Sequence, residues 1–482
     1  MELFDEQAWP TSVADRYRRA QSAAAQLAAM GCTERLDFLA RLAAVVLRRR
    51  DEIVDRLVAA TGQCAGDALI EEVSLALELL AYLTRHGRRA LAGRRWGGLK
   101  RVRYQPLGVV LVLAHWHAPF YRALSSLAFA FAAGNAVLYK PSPHALLPGL
   151  LESLLTESGF DPDWVQIVPG DEAVGQRLLA GRPDKVLFCG SASSARAVLA
   201  QAVEGAVPVE VTPLGKVPML VFADADLDAA VAVAVRGAFA KSGQSGCAIE
   251  RIYIERAVYA EFRSRLVMAC HGLRLGTGRD DDMGHLSQPH RIQTVRELLK
   301  DALAKGARQL CGHTWDGHSP FVPPIVLEDC RNGVWLLDEP VLAPLLPLFV
   351  FDHEDEAVEA VSRYPTGPTA LVWCRDRSRA ARVAARLPVN HVAINAPARV
   401  DWRRCVTGRR RCEVWLRSLC RLQTWDARAE LPPAVARYPL SSGKYALHEL
   451  LAATNVRRGA AALLGYARAK FQLRRLHDDQ RR

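Results

Sequence analysis

Two residues whose side chains could act on a carbonyl group lie in short, distinctive segments. Cys247 ends the glycine-rich run Ser242-Gly-Gln-Ser-Gly-Cys, and a thiolate at this place would be a nucleophile. The alternative is a small buried thiol that its apolar surroundings keep inert. His117 directly follows Trp116. Its imidazole could stabilise an oxyanion, act as a base, or be a satisfied histidine of the core.

Two further segments have the residue types that hold a phosphate or a ribose. Lys140 ends an apolar, strand-like run, and ligands of parallel sheets bind at such strand ends. The alternative is a surface lysine that follows a strand. Gly190 and Ser191 open a helix-like segment, where the serine could face a phosphate or only cap the helix.

Apolar periodicity predicts the elements that position these residues. Residues 12–95 have the apolar spacing of helices, and from Val102 short apolar runs alternate with helical stretches. A second alternating unit begins near Pro218 and continues to about Asn395. This order predicts doubly wound, parallel α/β sheets. In the first unit the predicted strands are 108–113, 136–139, 164–168 and 185–189, and the predicted helices are 121–133, 146–158, 174–180 and 193–203.

Length and composition exclude several classes of protein. The chain has 482 residues, of which 50% are hydrophobic and 24% charged, so we expect two or three packed units and not a disordered chain. The acidic segment at residues 1–6 is not typical of a signal peptide. The longest uncharged run near the middle, Ala123–Tyr139, is interrupted by Gly134 and Asn135 and predicts no membrane span.

Cysteine usage and charge bear on location and partners. The 11 cysteines are an odd number without a Cys-x-x-Cys pair, which favours a reducing, cytoplasmic compartment over disulfides or a zinc site. Of the net charge of +12, residues 401–482 carry +11, with 18 Lys and Arg against 7 Asp and Glu. Apolar residues recur there at helical spacing, so this basic tail could lie on an anionic membrane or pack on a partner. The sequence has no nucleic-acid-binding motif, and no specific nucleic acid is expected.

The segment from Tyr104 to about Asn395 resembles the aldehyde dehydrogenase superfamily. Eight near-identical words of that family occur in the family's order. They are Pro106-Leu-Gly-Val-Val, Ala133-Gly-Asn-Ala-Val, Lys140-Pro-Ser142, Phe188-Cys-Gly-Ser191, Ala223-Asp-Ala-Asp-Leu-Asp228, Ser242-Gly-Gln-Ser245, Glu250-Arg-Ile-Tyr-Ile254 and Val341-Leu-Ala-Pro-Leu-Leu-Pro347. One such word is weak evidence, but eight in order are a specific signal.

The resemblance implies an α/β fold with a Rossmann-like cofactor domain, a second α/β catalytic domain and a small oligomerisation element. The domains would be an N-terminal helical part of the cofactor domain at 1–100, the NAD(P)-binding domain at 101–215, the catalytic-type domain at 216–398, and the oligomerisation segment with the basic tail at 399–482. The implied chemistry begins with attack of a cysteine thiolate on an aldehyde. An asparagine amide and a backbone N–H hold the oxyanion, hydride passes to the nicotinamide, and a glutamate acts as base in thioester hydrolysis.

The family's catalytic side chains are replaced in this sequence. The nucleophile position falls at Gly246, with Cys247 one residue later, and the oxyanion asparagine falls at His117. The glutamate falls at Thr212, and the nearby carboxylate is that of Glu210. Two residues along a strand displace a side chain by nearly 7 Å, at about 3.3 Å per residue. The candidate catalytic residues are therefore Cys247, His117 and Glu210.

The cofactor positions are retained in part. By resemblance, the residues that would contact NAD or NADP are Trp116, Lys140, Ser142, Gly170, Gly190 and Ser191. Pro143 replaces an acidic partner of the adenosine ribose. Pro340, preceded by Glu339, replaces the glutamate at the nicotinamide ribose, and Leu342 replaces the phenylalanine that follows. About half of the contacts are absent, which could weaken or abolish NAD(P) binding.

Three functions remain open from these observations. The three replaced side chains favour a catalytically degenerate homologue that acts as a binding or assembly partner, in a homo-oligomer or with an active paralogue. The alternative is NAD(P)-dependent oxidation of an aldehyde to a carboxylic acid through Cys247. The third is a membrane-peripheral module that acts through the basic tail. A Cys247 thiol directed into the cleft would keep the enzymatic function open, and a thiol packed in the core would exclude it.

Overall fold

The structure is a computed structural model. It describes residues 12–96, 100–144, 147–213, 215–330, 333–338, 340–364, 367, 369–397, 413 and 415–426. The chain divides into two compact units, of which the first is Met1–Ala92 with Arg103–Gln423 and the second is Gly93–Val102 with Thr424–Arg482. All the candidate site residues belong to the first unit.

Helices form the N-terminal part of the first unit, as predicted. They are α1 (Val13–Ala29), α2 (Cys32–Arg48), α3 (Arg50–Thr61), the short α4 (Ala65–Asp67), a π-helical turn (Ala68–Ser74) and α5 (Leu75–Leu91). Their apolar faces share one core with the strands of the first sheet. In the second unit, β1 (Arg94–Trp96) pairs antiparallel with the first residues of β2 (Lys100–Pro106).

The first sheet contains the strands and crossover helices that the apolar runs predict. Its elements are β3 (Val109–Leu113), α6 (Pro119–Ala132), β4 (Ala136–Lys140), α7 (Leu150–Glu157), β5 (Val165–Ile167), α8 (Glu172–Ala180), β6 (Lys185–Gly190), α9 (Ala192–Glu204) and β7 (Val209–Pro213). The strands are parallel and lie in the order β5-β4-β3-β6-β7. Every residue of β3 and β4 is buried, as expected of strands covered on both faces.

The second sheet has seven strands and repeats the strand–helix alternation. Its elements are β8 (Val217–Val221), α10 (Leu227–Phe239), a 3₁₀ turn (Ala240–Gly243), β9 (Ile249–Glu255), α11 (Arg256–His271), α12 (Pro289–Ala304), β10 (Arg308–Gln309), β11 (Ile325–Glu328), a 3₁₀ turn (Trp335–Leu337), β12 (Leu345–Phe351), α13 (Glu354–Arg363), β13 (Thr369–Trp373), α14 (Arg377–Ala384) and β14 (His391–Ile394). The order is β10-β11-β12-β9-β8-β13-β14. Strand β10 is antiparallel to β11, and the other neighbours are parallel. The predicted α/β fold is confirmed.

The domain division stays a prediction. Its boundary at 215–216 falls between β7 and β8, where the chain passes from one sheet to the other. After β15 (Cys420–Asp426), residues 427–482 lie outside the described residues, as do 398–412. The predictions for the oligomerisation segment and the basic tail therefore concern parts of the chain that are largely not described. Of the helices that the structure does describe, none is both long and apolar enough to cross a membrane.

Candidate active site

The candidate site lies at the carboxyl ends of β3 and β6, the adjacent strands at which the order of the first sheet reverses. At such a reversal in a parallel sheet, the connections leave in opposite directions and open a crevice. The segment after β3 contains His115, Trp116 and His117, and the segment after β6 begins with Ser191. The sheet therefore brings the predicted oxyanion and cofactor residues to one edge.

His115 and His117 form a hydrogen-bonded pair of imidazoles, with their Nδ1 atoms 2.7 Å apart. The pKa of His115 is lowered to about 3, mostly by burial and in addition by the charges of Arg291 and Arg122. Burial also holds the pKa of His117 well below its usual range, with contributions from His115, Arg122 and Lys241. Both rings are therefore neutral at neutral pH, because the charged form of each is the disfavoured one.

The backbone of His117 indicates which ring carries the shared hydrogen. The His117 amide donates to Nδ1 of His115 at 3.4 Å, so this ring nitrogen is an acceptor. A neutral imidazole has one N–H, and the hydrogen between the two Nδ1 atoms then belongs to His117. Nε2 of His117 is left with a free lone pair. This tautomer offers Nε2 as an acceptor and not as an oxyanion donor, while the lowered pKa of the ring favours its neutral form.

The loop from Lys241 to Cys247 carries the candidate nucleophile into β9. Lys241 and Ser242 both have left-handed backbone conformations, with φ of 55° and 56°. Gly243 follows with φ of +71°, and a Cβ atom there would lie 2.4 Å from the carbonyl oxygen of Ala343. Only glycine fits at this point, because both the conformation and the close approach exclude a side chain.

Cys247 is half-buried, and its amide donates to the hydroxyl of Ser245 at 3.4 Å. Its thiol interacts electrostatically with the thiol of Cys189 on β6 and with the guanidinium of Arg122 in the first turn of α6. Burial raises the pKa of Cys189, and Arg122 acts against this. Cys247 is therefore half-buried and within electrostatic range of Cys189, near the carboxyl end of β6. The role of Cys247 as nucleophile stays a prediction.

Glu210 on β7 is engaged in an ion pair. Nζ of Lys185 donates to its carboxylate at 2.6 Å, and the hydroxyl of Ser418 donates to the same oxygen at 3.1 Å. In the strand register Glu210 lies opposite Leu187, whereas Thr212 lies opposite Cys189. The strand register thus places Thr212, and not Glu210, beside Cys189. The role of Glu210 as a base stays a prediction.

The predicted ribose-binding residues lie at the end of β4. Lys140 is buried there, and burial lowers the pKa of its ammonium group, while the charges of Asp171 and Glu172 near the start of α8 raise it. Ser142 is also buried, and its hydroxyl accepts from the amide of His144 at 3.3 Å. The methylene chain of such a lysine is buried, and its ammonium group lies near the edge of the sheet. This arrangement suits a donor to hydroxyl or phosphate groups.

The predicted phosphate-binding residues adjoin two helix N-termini. Ser191 is exposed and caps α9, with its hydroxyl accepting from the amide of Ser194 at 3.1 Å. Gly190 ends β6, and a Cβ atom on it would lie 2.5 Å from the ring of Phe188. Gly170 precedes α8. The first-turn amides of α9 have no partners within the helix, which suits an anion such as a pyrophosphate.

Trp116 forms a small apolar cluster with Leu342, and the guanidinium of Arg291 lies 5.7 Å from the indole. Arg291 also donates to the carbonyl of Val341. Leu342, at the position of the family's phenylalanine, therefore remains part of the site. Glu339 lies outside the described residues.

Among the residues of the site that sequence reasoning missed are Glu72, His115, Arg122, Cys189 and Lys241. Nζ of Lys241 donates to the Glu72 carboxylate and to the His117 carbonyl, each at 2.6 Å. Cys189 and Lys241 stand inside or next to the family words, so those words could have drawn attention to them. One feature of the sequence could have indicated Glu72: it is an acidic residue among the apolar positions 68, 73 and 76 of a predicted helix.

Comparisons with known proteins agree with the fold. The family model described as "Aldehyde dehydrogenase family" matches residues 6–413. A 4,4'-diapolycopene aldehyde oxidase from Methylomonas sp is 33% identical over 395 residues, which cover 80% of this chain and 74% of the relative. The crystal structure of an aldehyde dehydrogenase from Brucella melitensis biovar abortus 2308 has a TM-score of 0.79 at 25% identity, over 86% of this chain and 89% of that one. The NAD⁺ complex of a Bacillus cereus aldehyde dehydrogenase shares the fold, with a TM-score of 0.79 at 23% identity over 86% of this chain and 88% of that one.

Proposed function

Because the chain belongs to the aldehyde dehydrogenase family, we propose that it oxidises an aldehyde to a carboxylic acid with NAD(P), using Cys247 as the nucleophile. One observation carries this proposal: the Cys247 thiol is half-buried and interacts with Arg122 at the edge of the first sheet. A thiol that served only packing would be expected in an apolar core, as Cys270 and Cys311 are. The relatives named as aldehyde-oxidising enzymes support the same reaction class.

In the proposed reaction, the Cys247 sulfur bonds to the aldehyde carbon and the carbonyl oxygen takes the negative charge. In this proposal Nε2 of His117 would accept the thiol proton against the lowered pKa of its ring, and the charge of Arg122 would favour the thiolate. When NAD(P) is bound, it supplies the hydride acceptor for the oxidation. Cys247 then holds the acyl group as a thioester, until water cleaves the C–S bond, releases the acid and leaves the thiol.

The residues at the sheet edge fit a dinucleotide in part. Lys140 would donate to the adenosine ribose, and Ser191 with the first-turn amides of α9 would hold the pyrophosphate. Pro143 and Pro340 offer no carboxylate to the two riboses. We therefore expect NAD(P) to bind through its phosphates and adenosine side, with weaker affinity than a full set of contacts would give.

A second candidate function is a non-catalytic partner in a homo-oligomer or beside an active paralogue. It is favoured by Gly246 and Thr212 at the family's nucleophile and base positions, and by the engagement of Glu210 with Lys185. Without a carboxylate base, thioester hydrolysis would rely on another acceptor, for which His117 is the candidate.

Aldehyde-dependent formation of NADH or NADPH by the purified full chain tests the proposal. The panel contains short, long-chain and aromatic aldehydes and the diapolycopene aldehyde of the relative's name. Cys247→Ser should lower the rate by at least about a hundredfold, because it removes the nucleophile. Cys189→Ser is the matched control from the same cluster and should stay within about threefold of the wild type.

Three results would contradict the proposal. Loss of turnover in Cys189→Ser with turnover retained in Cys247→Ser would assign the nucleophile to Cys189. Equal turnover in both variants and the wild type would exclude covalent catalysis by either thiol. No turnover by folded wild-type protein, with any aldehyde of the panel and either dinucleotide, would favour the non-catalytic partner.

A further inference from the structure

A buried ion pair joins the two segments that carry His117 and Cys247. Glu72 and Lys241 are both buried, with Oε1 and Nζ 2.6 Å apart. The same Nζ donates to the carbonyl oxygen of His117 at 2.6 Å. One ammonium group therefore connects the thiol loop, which begins at Lys241, to the loop that follows β3.

The other carboxylate oxygen of Glu72 fixes the start of α6. Oε2 accepts from the amides of Phe120 and Tyr121 at 3.2 and 2.8 Å. These amides belong to the first helical turn, where backbone donors lack partners within the helix and an anion is favoured. Arg122 is the next residue, so the same carboxylate also holds the turn whose guanidinium interacts electrostatically with Cys189 and Cys247.

A second buried carboxylate holds the thiol loop from the same helical segment. Oδ2 of Asp67 accepts from the amide of Lys241 at 2.5 Å, and its Oδ1 lies 2.7 Å from a guanidinium nitrogen of Arg236. Glu72 lies in the π-helical turn Ala68–Ser74. Asp67 is the last residue of α4, directly before that turn, and both carboxylates contact Lys241.

The conformation of the thiol loop depends on these contacts. Lys241 and Ser242 have φ of 55° and 56°, a region that non-glycine residues enter only where the surroundings hold them. Ser242 is also held by its hydroxyl, which donates to the carbonyl of Gly284 at 2.8 Å. Cys247 follows Ser242 after only four residues. Relaxation of the two strained residues would therefore displace the thiol.

We propose that Glu72 is a positioning residue for the Cys247 thiol and acts through Lys241. It keeps the thiol loop, the His117 backbone and the first turn of α6 in one arrangement. Its effect on turnover rests on the proposed function, whereas its effect on the position of the thiol can be measured without turnover.

The test replaces both partners, in Glu72→Met/Lys241→Met. Removing both charges leaves no unpaired charge in the interior, so the variant should fold. We expect kcat to fall at least about tenfold with KM for NAD(P) within about twofold, because a misplaced thiol slows chemistry and not dinucleotide binding. Iodoacetamide should alkylate Cys247 at least about threefold faster, because the released loop exposes the thiol. Mass spectrometry of the Cys247 peptide measures this rate.

The matched control is Glu328→Gln, on β11 in the second sheet. Glu328 is also buried and accepts from the Tyr259 hydroxyl at 2.7 Å and from Arg263 at 3.1 Å. This variant should lower Tm without changing kcat or the alkylation rate of Cys247. If the double variant does not fold, Glu72→Asp, which withdraws the carboxylate by one methylene, is measured with the same expected directions.

Two outcomes separate this inference from the proposed function. An alkylation rate that is unchanged or slower in the folded variant would overturn the positioning role of Glu72. Absence of turnover in the wild type together with faster alkylation in the variant would overturn the proposed function alone.

Discussion

Acidification should destabilise the protein through His115, and His115→Phe should remove part of that effect. Burial lowers the pKa of His115 in the folded state to about 3, from an ordinary value of 6.5, and the charges of Arg291, Arg122 and His144 act in the same direction. Below pH 6.5 the unfolded chain therefore binds a proton that the folded protein does not. The free energy of unfolding should accordingly fall as the pH decreases from 6.5 towards 3.

The magnitude follows from the difference between the two pKa values. Each pH unit inside this window costs about 1.4 kcal/mol for one histidine. At about pH 4.5, two units below the unfolded pKa, a fully shielded His115 would have cost about 2.7 kcal/mol relative to alkaline pH. Because the side chain is only half-buried, solvent screening reduces the expected contribution to about 2 kcal/mol. The pKa of His117 is lowered as well, so the wild type should lose more than this amount.

Urea unfolding at several pH values from about 7 to about 4.5 measures the effect. His115→Phe keeps an aromatic ring beside Trp116, whose ring centroid is 5.2 Å away, and it should lose about 2 kcal/mol less than the wild type. His313→Gln, which removes an exposed histidine, is the control and should follow the wild type. Identical pH dependence in His115→Phe and the wild type would refute the argument that the His115 ring is held neutral. The tautomer assigned to His117 would then lose its basis.

Four further predictions concern stability and binding. Gly243→Ala should lower the free energy of unfolding, measured in urea titrations, by at least about 2 kcal/mol. The reason is that φ is +71° and the new Cβ atom would lie 2.4 Å from the carbonyl oxygen of Ala343. Unchanged stability would show that the turn can relax. Glu250→Gln should cost about 3–5 kcal/mol in the same titrations, because it removes the carboxylate charge that lies 2.7 Å from the buried ammonium group of Lys216. A loss below about 1 kcal/mol would contradict this. Lys140→Met should raise the Kd for NAD(P), measured by calorimetry, about tenfold, because a charge-assisted hydrogen bond is lost. An unchanged Kd would contradict the proposal that Lys140 contacts the cofactor. We propose that the basic segment 401–482 binds anionic vesicles in a salt-sensitive way. Truncation before Tyr438 should weaken this binding. Equal binding by the full chain and the truncated chain would assign it to other residues.

The fold was predictable because its signals are local. The continuous apolar runs that became β3 and β4 are typical of strands covered on both faces, and both are buried throughout. The helices between them bury apolar residues that recur at helical spacing. The sequence also indicated that Glu210 and Thr212 occupy different places, because they are two residues apart on one strand. In the structure they lie opposite different residues of β6.

The site was only partly predictable because its decisive contacts are distant in the chain. Lys241 meets Glu72 across 169 positions, and no local pattern indicates that contact. The π-helical turn that directs Glu72 inward has no apolar period of its own. The tautomer of His117 depends on a 2.7 Å distance to His115, a residue that sequence reasoning did not single out. Whether Cys247 belongs to a core or to the crevice depends on how the loop turns after Gly243.

The two buried lysine–glutamate pairs bear on whether the nucleophile is displaced or lost. Lys216 and Glu250 are both buried, and the Glu250 carboxylate also accepts from the amides of Val341 and Leu342, next to Trp116. With Glu72 and Lys241, these pairs fix the segments around Cys247. A buried ion pair gives little stability beyond what two well-packed apolar residues would give, and losing one partner is costly. That cost would retain both pairs in an inactive homologue as well, and they also hold segments next to the thiol loop, as preorganisation of a reactive group would require. Alkylation of Cys247 in Glu72→Met/Lys241→Met would show whether these contacts fix the thiol, which an assembly partner without chemistry would not need.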